Sequence, residues 1–195
     1  MEKSNLEKSK LYTKTGDRGE TSLVSGKRLS KSDERISLYG ELDELNSQVG
    51  VIVSYLKKSD FTLKAEILDL FQRIQSDLFC LGSLFACEVE NWEKFKLKQI
   101  QLEDVKRIEP AIDLYASTLP KLKNFVLPGG AIASAHTHVA RTVCRRVERQ
   151  AVAFSKNNTL PDNSMLYLNR FSDFLFVIAR YINLEFNEAE ILWTE

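Results

Sequence analysis

Residues 62 to 88 place Ile67, Phe71, Ile74, Leu78, Leu81 and Phe85 at alternating steps of four and three. A strand would alternate by two, so this stripe specifies one face of an α-helix. Its near-heptad spacing suits a helix packed along others in a bundle. The same period recurs over residues 33 to 57, through Ile36, Tyr39, Leu42, Leu45, Val49, Ile52 and Leu56. Ser32 or Asp33 is placed to cap that helix. A weaker stripe through Val105, Ile108 and Ile112 predicts a helix over 101 to 118, with Pro110 expected to kink or divide it. Residues 119 to 130 carry two prolines and a Gly pair and read as a loop. Residues 132 to 156 and 164 to 186 are the last two predicted helices, with Asn163 or Ser164 as the cap of the second. Five helices and no convincing strand predict an all-α, up-and-down bundle of ferritin-like type. An extended segment, residues 1 to 32, precedes it.

The chain has 195 residues, enough for one domain with a substantial core. The expected division is 1–32 extended segment, 33–186 bundle and 187–195 tail. Lys plus Arg and Asp plus Glu both total 27, so the net charge is zero. That argues against bulk nucleic-acid binding, which needs a basic excess or face. Cys80, Cys87 and Cys144 form no CxxC and read as reduced, buried thiols. The first ten residues contain no apolar run like that of a signal peptide, and no stretch approaches a membrane span. A cytoplasmic protein is expected.

Four stretches carry chemistry. In "TKTGDRGETS", residues 13 to 22, glycines let backbone N–H groups turn toward an anion. Lys14 and Arg18 add charge, and Thr13, Thr15, Thr21 and Ser22 add hydroxyls. The Walker A spacing is absent, and a solvated tail is the alternative. In "HVARTVCRRVERQ", Arg141, Arg145, Arg146 and Arg149 crowd nine positions, with His138 one turn earlier and Val139, Val143 and Val147 as a neighbouring stripe. Arginine forks match phosphate oxygens, so a polyphosphate clamp is expected, with intrahelical ion pairs as the alternative. In "LYGELDELNSQVG", Tyr39, Asp43, Asn46 and Gly50 share a stripe beside the core. A buried Asp43 would need a cation, for which the arginine helix is the source, within the chain or across an interface. Gly40 and Gly50 would let another helix approach. In "YLNRFSDFLFVIAR", Asn169 and Asp173 share a face, with Arg180 two turns beyond. Asn169 reads as a ribose or base contact, or as part of a structural network. His136 and His138 sit two apart and diverge by roughly 200° on a helix, so no His-ligated metal is expected.

Taken in order, "YTKTGDRGET", "YGELDELNS", "FVLPGG", "SAHTHVARTVCRRVER" and "YLNRFSD" span residues 12 to 173. Together they resemble the ATP:cob(I)alamin adenosyltransferases of the propanediol-utilisation type. Thr137, Val147 and Phe171 depart from the family pattern and touch packing only. The resemblance implies transfer of the 5′-deoxyadenosyl group of ATP to cob(I)alamin with release of triphosphate. It implies a homotrimer with sites between subunits, Mg²⁺ carried by ATP, and possible reductase and adenosylcobalamin-dependent enzyme partners. Matched by motif, the ATP contacts are Thr13, Lys14, Thr15, Gly16, Thr21, Ser22, Lys31, Arg145, Arg146, Glu148, Arg149 and Asn169. Asp43 resembles the aspartate that pairs across the interface with the arginine found here at Arg141. Phe125 resembles the phenylalanine under the corrin that excludes an axial ligand. A non-catalytic corrinoid carrier or sensor is the alternative. A structural or nucleic-acid bundle is a third reading, disfavoured by the charge balance.

Overall fold

In the computed structural model, residues 12, 14–61 and 64–194 are described. Five α-helices form as the stripes predict: α1 Glu34–Lys57, α2 Lys64–Phe85, α3 Leu102–Thr118, α4 Ile132–Phe154 and α5 Ser164–Glu185. Helix α1 packs on α2 and α4, and α5 packs on α4 and α3. All six stripe residues of α2 are buried, and Phe71 meets Phe174 of α5 edge-on with centroids 5.6 Å apart. A fully buried side chain of this size contributes about 1.5–3 kcal/mol, so these contacts dominate the bundle. In α1 the stripe begins at Leu38, while Ile36 and Tyr39 are only half-buried. Asp33 caps α1, accepting from the Arg35 N–H at 2.9 Å. Asn163 caps α5 differently, with φ 58 and its amide donating to the Ile100 carbonyl at 3.0 Å.

Helix α3 runs unbroken through Pro110. It is fixed to its neighbours by a buried carboxylate. Asp77 of α2 accepts from Tyr167 Oη of α5 at 3.0 Å and from Arg107 of α3 at 3.2 Å. Burial pushes the Asp77 carboxyl up, the direction expected for a charge removed from water.

Short strands add what the periodicity did not show. β1 (Glu20–Ser22) and β2 (Arg28–Ser30) form an antiparallel hairpin, with Thr21 opposite Leu29. Gly26 closes it at φ +89. The hairpin is tied to the end of α2: Val24 N–H donates to the Ala86 carbonyl, and Lys27 faces Glu88. Residues 20 to 30 are therefore a folded hairpin rather than an extended segment. Farther on, β3 (Val126–Leu127) pairs with β4 (Ile191–Leu192), Val126 opposite Leu192. The tail beyond α5 thus returns to the loop that carries Phe125.

Candidate functional site

The hairpin gathers the first set of predicted residues. Lys14, Thr15, Arg18, Glu20, Ser22 and Arg28 line a cavity of about 600 Å³. Arg28 braces it, donating to the Thr15 carbonyl at 2.7 Å and to Ser22 Oγ at 3.2 Å. Gly16 lies under Lys31: a Cβ there would stand 3.3 Å from the Lys31 ammonium. Thr21 is half-buried in β1. Thr13 lies outside the described residues. Arg28 was missed in the motif because it follows the turn.

Helix α4 sends its arginines in three directions. Arg146 reaches back to α1 and pairs with Glu41 and Glu44. Arg145 and Arg149 are exposed and make no hydrogen bond or ion pair among the described residues. Between them on the helix, Glu148 accepts from the Asn169 amide of α5 at 3.3 Å. Arg141 is half-buried, and its Nε has no partner among the described residues. Burial and the neighbouring Arg145 both lower the affinity of Arg141 for its proton. Val143 and Val147 are buried as a stripe, but Val139 is exposed. Asp43, read as a buried acid, is exposed on α1 and makes no ion pair among the described residues. The within-chain pairing with the arginine helix is therefore not made. Its neighbours Glu41 and Glu44 take the one arginine that turns that way.

The second cavity, about 920 Å³, opens between the 122–126 loop, α4, α5 and the returning tail. Phe125 stands at it 79% exposed, its ring 6.5 Å from that of Trp193. An aromatic left in water beside a large cavity marks a candidate contact surface. His138, Arg141 and Phe176 complete the inner wall. His138 is 3% exposed, and neither ring nitrogen has a hydrogen-bond partner among the described residues. Burial, with Arg141 nearby, pulls the imidazole down to about 4, so it is neutral at pH 7. The sequence placed His138 beside the arginines but gave no sign that it faced Phe125.

The "LPGG" turn behind Phe125 is held by one side chain of α5. Asn183 donates to the Gly129 carbonyl at 3.0 Å and accepts the Ala131 N–H at 3.0 Å. Ser134 also donates to the Gly129 carbonyl, at 3.3 Å, and to that of Ala179, at 2.8 Å. Gly130 sits at φ +95, and a Cβ there would overlap the Asn183 amide. Only glycine meets both conditions. Among the described residues, no group of three or more His, Cys, Asp or Glu gathers that could hold a metal ion.

Comparison with known proteins bears on this geometry. The family described as cobalamin adenosyltransferase matches residues 11–182. The chain is 42% identical over 176 residues to the corrinoid adenosyltransferase of Bacillus subtilis, covering 89% of this chain and 86% of that one. It is 40% identical over 171 residues to the corrinoid adenosyltransferase of Citrobacter freundii, with 88% and 93% covered. Its fold superposes, with a TM-score of 0.85 and 34% identity, on a variant PduO-type ATP:corrinoid adenosyltransferase from Lactobacillus reuteri complexed with cobalamin and ATP, covering 95% of this chain and all of that one. A second variant from Lactobacillus reuteri, complexed with ATP, gives a TM-score of 0.83 at 35% identity, with 94% and 100% covered. With helices, hairpin and motif order in agreement over most of its length, the chain belongs to the cobalamin adenosyltransferase family, in its PduO-type ATP:corrinoid branch.

Proposed function

We propose that the chain transfers the 5′-deoxyadenosyl group of ATP to cob(I)alamin and releases triphosphate. The observation that carries this reading is the exposed Phe125 beside the 920 Å³ cavity, with Arg141 and neutral His138 on its inner wall. The reduced cobalt of the corrinoid substrate supplies the nucleophile, so the chain needs neither a nucleophile nor a general base of its own. Its work is to align C5′ with cobalt and to stabilise charge on the departing triphosphate. Lys14, Thr15, Gly16, Thr21, Ser22 and Lys31, with Thr13, hold the phosphates from the hairpin side. Arg145 and Arg149 answer them from α4, where no carboxylate among the described residues engages them. Asn169, held by Glu148, orients the nucleoside. Arg146 steadies α4 against α1 and completes the positive field. Mg²⁺ enters with ATP on its phosphate oxygens.

Phe125 fills the space where an axial ligand of cobalt would stand. Excluding that ligand makes reduction of Co(II) easier and keeps water away. Anaerobic mixing of protein, MgATP and chemically reduced cob(I)alamin should give a light-sensitive adenosylcobalamin spectrum with equimolar triphosphate. Binding without conversion would make the protein a carrier or sensor. In the same assay, Phe125→Ala should lose at least about tenfold more activity when the reaction starts from Co(II) than from Co(I), about 1.4 kcal/mol of differential effect. Equal losses would remove the axial role.

We propose further that the complete site forms between copies of the chain in a homotrimer. The hairpin is fixed to the end of α2, whereas Phe125 and Arg141 belong to the α4–α5 side. Asp43 lies exposed beside an open groove of α1 and α2 where Gly40 and Gly82 meet no neighbour and Phe79 is 71% exposed. Asp43 would meet Arg141 of the adjacent copy there. A light-scattering mass of one chain at working concentration would overturn this. The hairpin, bundle and tail act as a single domain. No helix of the described residues is long and apolar enough to cross a membrane, and all three cysteines are free. We assign the reaction to the cytoplasm, with a reductase supplying electrons and an adenosylcobalamin-dependent enzyme taking the product.

A further inference from the structure

Arg180 is 7% exposed, and its guanidinium joins two segments distant in sequence. Nε and Nη2 donate to the two Glu190 carboxylate oxygens at 2.5 and 3.0 Å. Nη2 also donates to the Pro120 carbonyl at 2.9 Å. Pro120 opens the loop that leads to Phe125. Glu190 precedes β4 and Trp193. Both segments are walls of the 920 Å³ cavity: Leu122 to Val126 on one side, Trp193 and Thr194 on the other. Besides this pair, the walls meet through the two-residue strands β3 and β4, the Phe125 and Trp193 rings, and the Trp193 N–H, which donates to the Phe125 carbonyl at 2.8 Å. A ladder this short does not persist on its own. A forked, largely desolvated arginine–carboxylate pair is among the stronger polar contacts available to it. Among the described residues, the side-chain hydrogen bonds of Arg180 go to Pro120 and Glu190, which stand just before the two walls in the chain, and none goes to a bundle helix.

We propose that Arg180 and Glu190 are positioning residues for the corrinoid, their pair setting the gap between the two walls and thereby the seat of Phe125. This rests on the reading of the cavity as the corrinoid site. The hairpin that meets ATP is fixed elsewhere, at the end of α2, so the effect is confined to one substrate.

Glu190→Gln keeps the shape and removes the charge from a residue outside the bundle, so folding survives. The variant should raise the KM for cob(I)alamin about tenfold, the scale of a lost charge-assisted pair, with kcat and the KM for ATP within about twofold. Arg180→Lys keeps the charge without the fork and should fall between the two. Hydrogen exchange in the substrate-free protein gives a readout independent of turnover: amides of residues 120–127 and 191–194 should exchange faster in Glu190→Gln. Unchanged exchange would overturn the clamp. Faster exchange with an unchanged corrinoid KM, or with both KM values rising together, would overturn its positioning role. Whether the cavity takes corrinoid at all is judged separately, by quenching of Trp193 emission on titrating cob(II)alamin into the unmodified clamp in a Trp92→Phe background.

Discussion

Arg145→Ala should reduce kcat by about 10²–10³, the loss expected when one donor to a developing oxyanion is removed. The melting temperature should move little, because Arg145 is exposed and makes no hydrogen bond or ion pair among the described residues. Activity would thus fall without a loss of folded protein. Steady-state kinetics from pre-reduced cob(I)alamin, paired with a thermal melt, tests both halves. Unchanged kcat would remove Arg145 from the triphosphate clamp. Arg146 is a built-in contrast. Its guanidinium already serves Glu41 and Glu44, so its removal should weaken the α1–α4 contact by about 1 kcal/mol, the scale of a surface ion pair.

The second large effect concerns stability. Gly130→Ala places a side chain at φ +95, in a conformation that costs about 1–3 kcal/mol. It also drives a Cβ into the Asn183 amide, whose two hydrogen bonds hold Gly129 and Ala131. The Gly129 carbonyl keeps its Ser134 donor, so the Ala131 N–H is the buried group left unpaired, at about 1–3 kcal/mol. The expected total is about 2–6 kcal/mol, or on the order of 10 °C in melting temperature for a chain of this size. The double variant Gly130→Ala with Asn183→Gly should recover little, because the overlap goes while the strain and the unpaired Ala131 N–H remain. A loss under about 1 kcal/mol for Gly130→Ala alone would mean that the turn relaxes and Asn183 does not fix it.

The helices were legible because apolar residues at steps of three and four leave no other face to bury. Stripes such as Ile67 to Phe85 fix type and extent without any tertiary knowledge. Strands of two or three residues carry no such pattern, and the pairing of Val126 with Leu192 joins residues that no local window contains. The same limit applies to the site. Glycine, lysine and hydroxyl side chains from residues 14 to 22 point to the proposed anion site by proximity in sequence, as do the arginines of α4. The exposure of Asp43 did not show, because its position beside the core stripe is compatible with either environment. Asn183, His138 and Arg180 acquire meaning only from what α5 and α4 bring against them. Pro110 does not divide α3: the tertiary contacts of that helix, including Arg107 with Asp77, hold it across the proline.

The pairing of β3 with β4 also has a kinetic meaning. It closes a loop that contains all of α4 and α5, so chain entropy opposes it until those helices have packed. On these grounds the wall of the Phe125 cavity is expected to assemble after α4 and α5. A refolding molecule is then expected to hold its helices before the proposed corrinoid seat closes.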